Sequence, residues 1–157
     1  MAFPKIGNIA PNFSLKNQSN EVIQLKDLKG KSNVLVYFYP KADTPGCTAQ
    51  ACGMRDYHEE LKRLNTRVLA ISPDSPAKLQ KFDTKYNLDF DLLSDEDHAV
   101  AELYGVWGLK KFMGREFMGI IRTSFVIDQS GRLVNILEKV NTKTHGDKVI
   151  EYIKSLL

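Results

Sequence analysis

Asn33–Tyr39 reads NVLVYFY, and Pro40–Gly46 (PKADTPG) follows it directly. An unbroken β-branched and aromatic run without alternation is the pattern of a strand buried on both faces. Two prolines, an aspartate and a glycine within seven residues make a loop. Beyond that loop Cys47, Ala51, Met54, Leu61 and Leu64 recur at three- and four-residue steps or their multiples. That period predicts a helix from Cys47 to about Leu64. Strand, loop and helix open an α/β unit. They place Cys47 where coil becomes helix.

Working outward towards the N-terminus, Asn12–Leu15 and Val22–Leu25 flank the polar turn Lys16–Asn20 and read as a hairpin. Towards the C-terminus, Arg67–Ser72 returns to strand. Ser75-Pro76 has the form of an N-cap followed by proline at the first helical position, opening a helix to about Tyr86. Phe90–Leu93 is a short strand, and Asp95–Tyr104 is a helix ended by Gly105. Trp107–Gly119 reads as a glycine-punctuated loop, in which Phe112, Met113, Phe117 and Met118 could collar an apolar substrate; the plainer expectation is that they pack over the core. Ile121–Asp128 and Leu133–Val140 are strands joined at Gln129-Ser130-Gly131. A helix over Asp147–Leu157 carries the apolar stripe Val149, Ile150, Ile153, Leu156 and Leu157. The alternation implies α/β layers with a mixed central sheet, flanked by helices and preceded by an N-terminal hairpin.

At 157 residues the chain fits one domain, residues 1–157, around a single core. Its 22 basic and 19 acidic residues are interspersed, so no stripe is present to track a phosphate backbone and no nucleic-acid partner is expected. No apolar run approaches the ~20 residues that cross a bilayer, and no membrane role is expected. Met1–Lys5 lacks a charged and apolar leader pattern, so a cytoplasmic location is expected. In that compartment a lone close pair of cysteines, Cys47 and Cys52, is redox-active more often than structural. Without paired histidines they do not complete a zinc site. No dinucleotide-binding or phosphate-loop motif is present either.

The reactive form of cysteine is the thiolate. A helix start favours an anion through its unpaired N–H groups and partial positive charge. The backbone N–H groups of Gly46 and Cys47 are candidates to face the site, and Thr44 offers a hydroxyl three residues before the sulfur. Pro40 and Pro45 stiffen the loop. Arg122, set among apolar residues in Gly119–Phe125, is a candidate permanent cation if its strand lies beside Asn33–Tyr39. The plainer alternatives are a buried inert Cys47, a solvent-facing Arg122 and a turn-forming Thr44.

Cys52 is five residues beyond Cys47. In an ideal helix such positions place their Cα atoms roughly 8.6 Å apart. A disulfide tolerates about 7 Å without backbone movement. If the two sulfurs join, the first turns of the helix must unwind, after oxidation of one sulfur to sulfenic acid. The alternative is that Cys52 is an inert core cysteine.

The stretch Pro40-Lys41-Ala42-Asp43-Thr44-Pro45-Gly46-Cys47-Thr48-Ala49-Gln50-Ala51-Cys52 closely resembles the bacterioferritin comigratory protein (PrxQ) branch of the peroxiredoxins. The resemblance extends to Ala10–Leu15, Leu93-Ser94-Asp95, Tyr104-Gly105-Val106, Arg122 and Ser124–Asp128. It implies a thioredoxin-like fold and a thiol peroxidase acting on hydrogen peroxide and organic hydroperoxides, in antioxidant defence. Cys47 would be the peroxidatic and Cys52 the resolving cysteine, joined in an internal disulfide. Thr44 and Arg122 would bind and polarise the peroxide, beside Pro40 and Gly46. Thioredoxin would be the reductant, no metal, haem or flavin would take part, and the chain would be a monomer.

Two rival readings fit less of the pattern. A thioredoxin-type oxidoreductase expects Cys-x-x-Cys and has no use for Thr44 or Arg122. A redox sensor would bind a client when oxidised, with little turnover. His58 lies about 16 Å along the helix from Cys47, too far to be its base. The acidic run Ser94–His98 reads as helix capping.

Overall fold

Val34, Val36 and Phe38 face one side of the central strand, and Leu35 and Tyr37 face the other; each set belongs to a separate half of the core. This is the two-residue period of a strand buried on both sides. The structure, a computed structural model, describes residues 3–138 and 141–156. Val140 and Leu157, expected to end a strand and the last helix, lie outside the described residues, as do the side chains of Phe112 and Leu156.

The strands are β1 (Ser14–Asn17), β2 (Val22–Gln24), β3 (Asn33–Phe38), β4 (Thr66–Ser72), β5 (Asp91–Ser94), β6 (Trp107–Phe112), β7 (Arg115–Ile120), β8 (Thr123–Ile127) and β9 (Leu133–Glu138). Seven of them form one sheet in the order β2-β1-β5-β4-β3-β8-β9, and β6 pairs with β7 apart from it. β3, β4 and β5 are parallel, whereas β8 runs antiparallel to β3 with Tyr37 opposite Ser124 and Phe38 opposite Thr123. The N-terminal hairpin is present, with Leu15 opposite Ile23.

Among the described residues, five α-helices cover the sheet: α1 (Pro45–Asp56), α2 (His58–Arg63), α3 (Pro76–Tyr86), α4 (Ala99–Leu103) and α5 (His145–Leu156). Cys47, Ala51 and Met54 of α1, Leu79 and Phe82 of α3, and Val149 and Ile153 of α5 pack with Leu35 and Tyr37. The opposite face is closed by Phe13, Val100, Ala101 and Tyr104. α3 begins as expected, with Ser75 Oγ accepting from the Lys78 N–H at 3.3 Å and Pro76 in the first turn. Among the described residues no helix is long and apolar enough to cross a membrane.

Three expectations from the sequence are corrected. The long helix from Cys47 to Leu64 is two helices broken at Tyr57, and the first starts at Pro45 with Thr44 as its N-cap. At the break the Tyr57 hydroxyl bonds the Asp147 carboxylate. A Cβ on Gly146 would lie 2.5 Å from Tyr57 Cδ2, so α5 starts tightly against the end of α1. The helix expected over Asp95–Tyr104 contracts to Ala99–Leu103. The Asp95 carboxylate accepts from the N–H groups of Val100 and Ala101, and His98 takes a left-handed φ of 49°.

The third correction concerns Trp107–Gly119, which is a β-hairpin and not a loop. Its two-residue turn, Met113-Gly114, has φ of 49° and 78°. Positive values at both positions suit the right-handed twist of a hairpin. One glycine within each strand, Gly108 and Gly119, together with Gly114 at the turn, hid the pattern. Met113, Phe117 and Met118 are exposed on this hairpin and do not pack over the core.

Candidate active site

Cys47 occupies the third position of α1, after Pro45 and Gly46, and is buried. The N–H groups of Gly46 and Cys47 lie in the first helical turn, where no intrahelical acceptor exists for them. Proline suits the first position because its missing N–H would have been unpaired and its φ is already helical. The loop therefore delivers the sulfur to the sheet with the helix already begun.

The cation arrives from β8. Residues 122, 124 and 126 share one parity, and Val126 packs in the same half of the core as Cys47. Arg122, just ahead of β8, is thereby turned towards α1. Its Nη2 donates to Cys47 Sγ at 3.0 Å, and its Nη1 donates to Gln50 Oε1 at 2.8 Å. A planar guanidinium anchored at two nitrogens has little freedom to rotate. A Cβ on Gly46 would lie 3.1 Å from Arg122 Nη2, so the lack of a side chain at position 46 leaves room for this approach.

Thr44 does not cap α1 with its side chain; its hydroxyl donates to the Lys41 carbonyl at 2.9 Å. The oxygen keeps its acceptor capacity, since a hydroxyl carries one proton and two lone pairs. Pro40 is half-buried two residues beyond the end of β3, at the start of the loop. Cys52 sits further along α1, half-buried, and both cysteines are free thiols. The structure thus brings Arg122, Gly46 and Cys47 together. It places Thr44 and Pro40 in the adjoining loop, and keeps Cys52 apart on an intact helix.

Three polar residues not named as site candidates complete the arrangement. Gln50 Nε2 lies 3.3 Å from His145 Nδ1, and His145 Nε2 lies 2.7 Å from Ser124 Oγ. All three are buried. Burial, and then the charge of Arg122, push the His145 imidazole down to about 4, so it is neutral at neutral pH. Gln50 was detectable as a polar residue three positions from Cys47 on an apolar helix face. Ser124 was detectable by its parity with Arg122. His145 carried no such signal, because it lies ahead of the apolar stripe of α5. Lys110 of β6 is also held below the usual lysine range by burial and then by the charge of Arg122.

These features define a thioredoxin-like α/β protein with a cysteine-centred site. The chain belongs to the AhpC/TSA family, which it matches over residues 6–136, and within it to the Bcp/PrxQ peroxiredoxins. A Haemophilus influenzae protein named as a bcp peroxiredoxin is 54% identical, across 96% of this chain and 97% of the relative. Peroxiredoxin Bcp of Escherichia coli K12 is 52% identical across 96% of each chain. A solved Xanthomonas campestris bacterioferritin comigratory protein, studied for alkyl peroxide reduction, superposes with a TM-score of 0.86. It is 28% identical, with 92% of this chain and 91% of that chain covered. The protein is a peroxidase, an oxidoreductase taking a hydroperoxide and a thiol reductant.

Proposed function

We propose that Cys47 is the peroxidatic cysteine and Cys52 the resolving cysteine of a thioredoxin-recycled peroxidase built as one domain. The observation that carries this reading is the 3.0 Å contact of Arg122 Nη2 with Cys47 Sγ at a helix start. A fixed cation beside the sulfur favours negative charge there, and in the transition state it faces the breaking O–O bond. The Cys47 thiolate attacks one peroxide oxygen. The S–O bond forms as the O–O bond breaks, and the other oxygen leaves as an alkoxide or hydroxide that takes up a proton. Thr44 supports substrate orientation, because its oxygen can accept the peroxide O–H while Gly46 and Cys47 present N–H donors. Pro40 borders the same space.

The sulfenic acid on Cys47 is then attacked by the sulfur of Cys52, releasing water and forming an internal disulfide. The intact α1 of the reduced chain keeps these sulfurs on separated positions, so this step proceeds through unwinding of α1. A dithiol reductant, thioredoxin in this reading, returns both sulfurs to thiols. Alkyl hydroperoxides join hydrogen peroxide as substrates, supported by the reaction studied for the Xanthomonas relative. A reducing, cytoplasmic setting agrees with two free cysteines cycling through a transient bond. The chain acts as a monomer.

The test is peroxide-dependent NADPH oxidation through thioredoxin and its reductase. Cys47→Ser should abolish turnover. Cys52→Ser should retain one round of peroxide reduction, with no internal disulfide detected by mass spectrometry after one equivalent of peroxide. A fully active Cys47→Ser protein would overturn the assignment.

A further inference from the structure

Arg122 is itself held, through a buried relay that crosses three elements. Its Nη1 donates to Gln50 Oε1 of α1, Gln50 Nε2 meets His145 Nδ1 at the start of α5, and His145 Nε2 meets Ser124 Oγ of β8. A guanidinium has donors only, so the Gln50 atom facing it must be the carbonyl oxygen. The atom facing His145 is then the amide nitrogen, which is also a donor. His145 Nδ1 must therefore accept, and its ring proton must sit on Nε2, pointing at Ser124 Oγ.

We propose that His145 is a positioning residue: as the neutral Nε2–H tautomer it orients the Gln50 amide, and through it the Arg122 guanidinium, on the Cys47 sulfur. The proposal rests on the reading of Arg122 as the cation of the site. Gln50 is 1% exposed, His145 2% and Ser124 0%, so water is not at hand to take the place of a lost partner. With a proton on Nδ1, two donors would oppose each other across the 3.3 Å gap. The amide would have to turn over, presenting its NH2 group to the guanidinium. Arg122 would lose the anchor at Nη1, and because its fork is rigid, Nη2 would lose its aim at the sulfur. Burial and the charge of Arg122 both favour the neutral ring. Tyr37 of β3 is a further titratable neighbour among the described residues; its ring packs edge-on with centroids 5.2 Å apart. Burial holds its hydroxyl protonated.

The decisive measurement is histidine 15N NMR on the reduced, full-length protein at pH 7, with His145 assigned by its absence from the His145→Asn spectrum. The expected signal is a neutral ring protonated at Nε2; a ring protonated at Nδ1 overturns the proposal. Kinetics supply the second arm. Reaction of Cys47 with hydrogen peroxide is compared with its alkylation by iodoacetamide, which needs the sulfur but no aligned peroxide. His145→Leu should slow the peroxide reaction roughly 10- to 100-fold, as misplaced catalytic groups do, and slow alkylation far less. His145→Asn, whose Oδ1 can occupy the place of Nδ1, should recover most of the loss. Equal losses in both reactions, or an asparagine variant no better than leucine, would refute the positioning role. If Arg122→Ala reacts with peroxide as fast as wild type, the reading of the site fails and this proposal with it. A wrong tautomer beside a slow Arg122→Ala sinks the relay alone.

Discussion

Arg122 Nη2 and Cys47 Sγ are 3.0 Å apart although 75 positions separate the two residues in the chain. Neither segment alone creates that contact. β8 must lie antiparallel against β3, and Arg122 must share the parity of Ser124 and Val126, for the guanidinium to point at the start of α1.

Replacing Arg122 by lysine keeps the charge and discards the fork. An ammonium is a point donor and cannot hold both the sulfur and Gln50 in one plane. Stopped-flow measurement of Arg122→Lys should show a loss of about 100-fold or more in the peroxide reaction, the scale of losing a preorganised donor. A loss below threefold would mean that charge alone suffices.

Gly46→Ala separates stability from chemistry. Alanine is favoured over glycine in a helix by about 1 kcal/mol, so thermal unfolding should occur at an equal or higher temperature. The new Cβ would stand 3.1 Å from Arg122 Nη2, so peroxide reduction should slow as the guanidinium shifts. Activity unchanged in this variant would show that the guanidinium has slack.

Oxidation should loosen a defined segment. Joining Cys47 to Cys52 requires the first turns of α1 to open, which breaks the Arg122–Gln50 and Gln50–His145 bonds. Hydrogen exchange after one equivalent of peroxide should accelerate in Pro45–Asp56 and at the start of α5, with little change in β3 and β4. Uniform protection of α1 in the disulfide form would contradict the unwinding step.

Acid should weaken the fold through His145. Its imidazole is pushed down to about 4 in the folded protein, against an ordinary value near 6.5. The unfolded chain therefore binds this proton more readily. The stability concerned is complete above pH 6.5 and is lost as the pH falls towards 4, by up to about 3 kcal/mol. Asp43 and Asp128, held low mainly by hydrogen bonds, lose their contributions at lower pH still; Asp95, raised by burial, acts in the opposite direction. Urea unfolding of wild type and His145→Asn isolates the histidine: the difference between them should shrink from pH 7 to pH 4.5. A constant difference would place the proton elsewhere.

Much of the architecture was legible locally. The NVLVYFY run, the Ser75-Pro76 start of α3 and the position of Cys47 at a helix beginning are written in period and capping chemistry, which act within a few residues of the chain. The same logic failed where a distant partner intervened. Tyr57 ends α1 against Gly146 and Asp147, Asp95 takes the N–H groups at the start of α4, and Met113-Gly114 turns a segment that looks irregular.

The chain order of strands, loops and helices, and the sulfur at a helix start, follow from amino-acid pattern because backbone hydrogen bonding and apolar periodicity are short-range. Which cation meets that sulfur, and that Gln50, His145 and Ser124 hold it there, follows from strand order and side-chain parity in the assembled sheet. Those contacts join residues up to 95 positions apart, and they exist only once burial has removed the water that would otherwise satisfy each group.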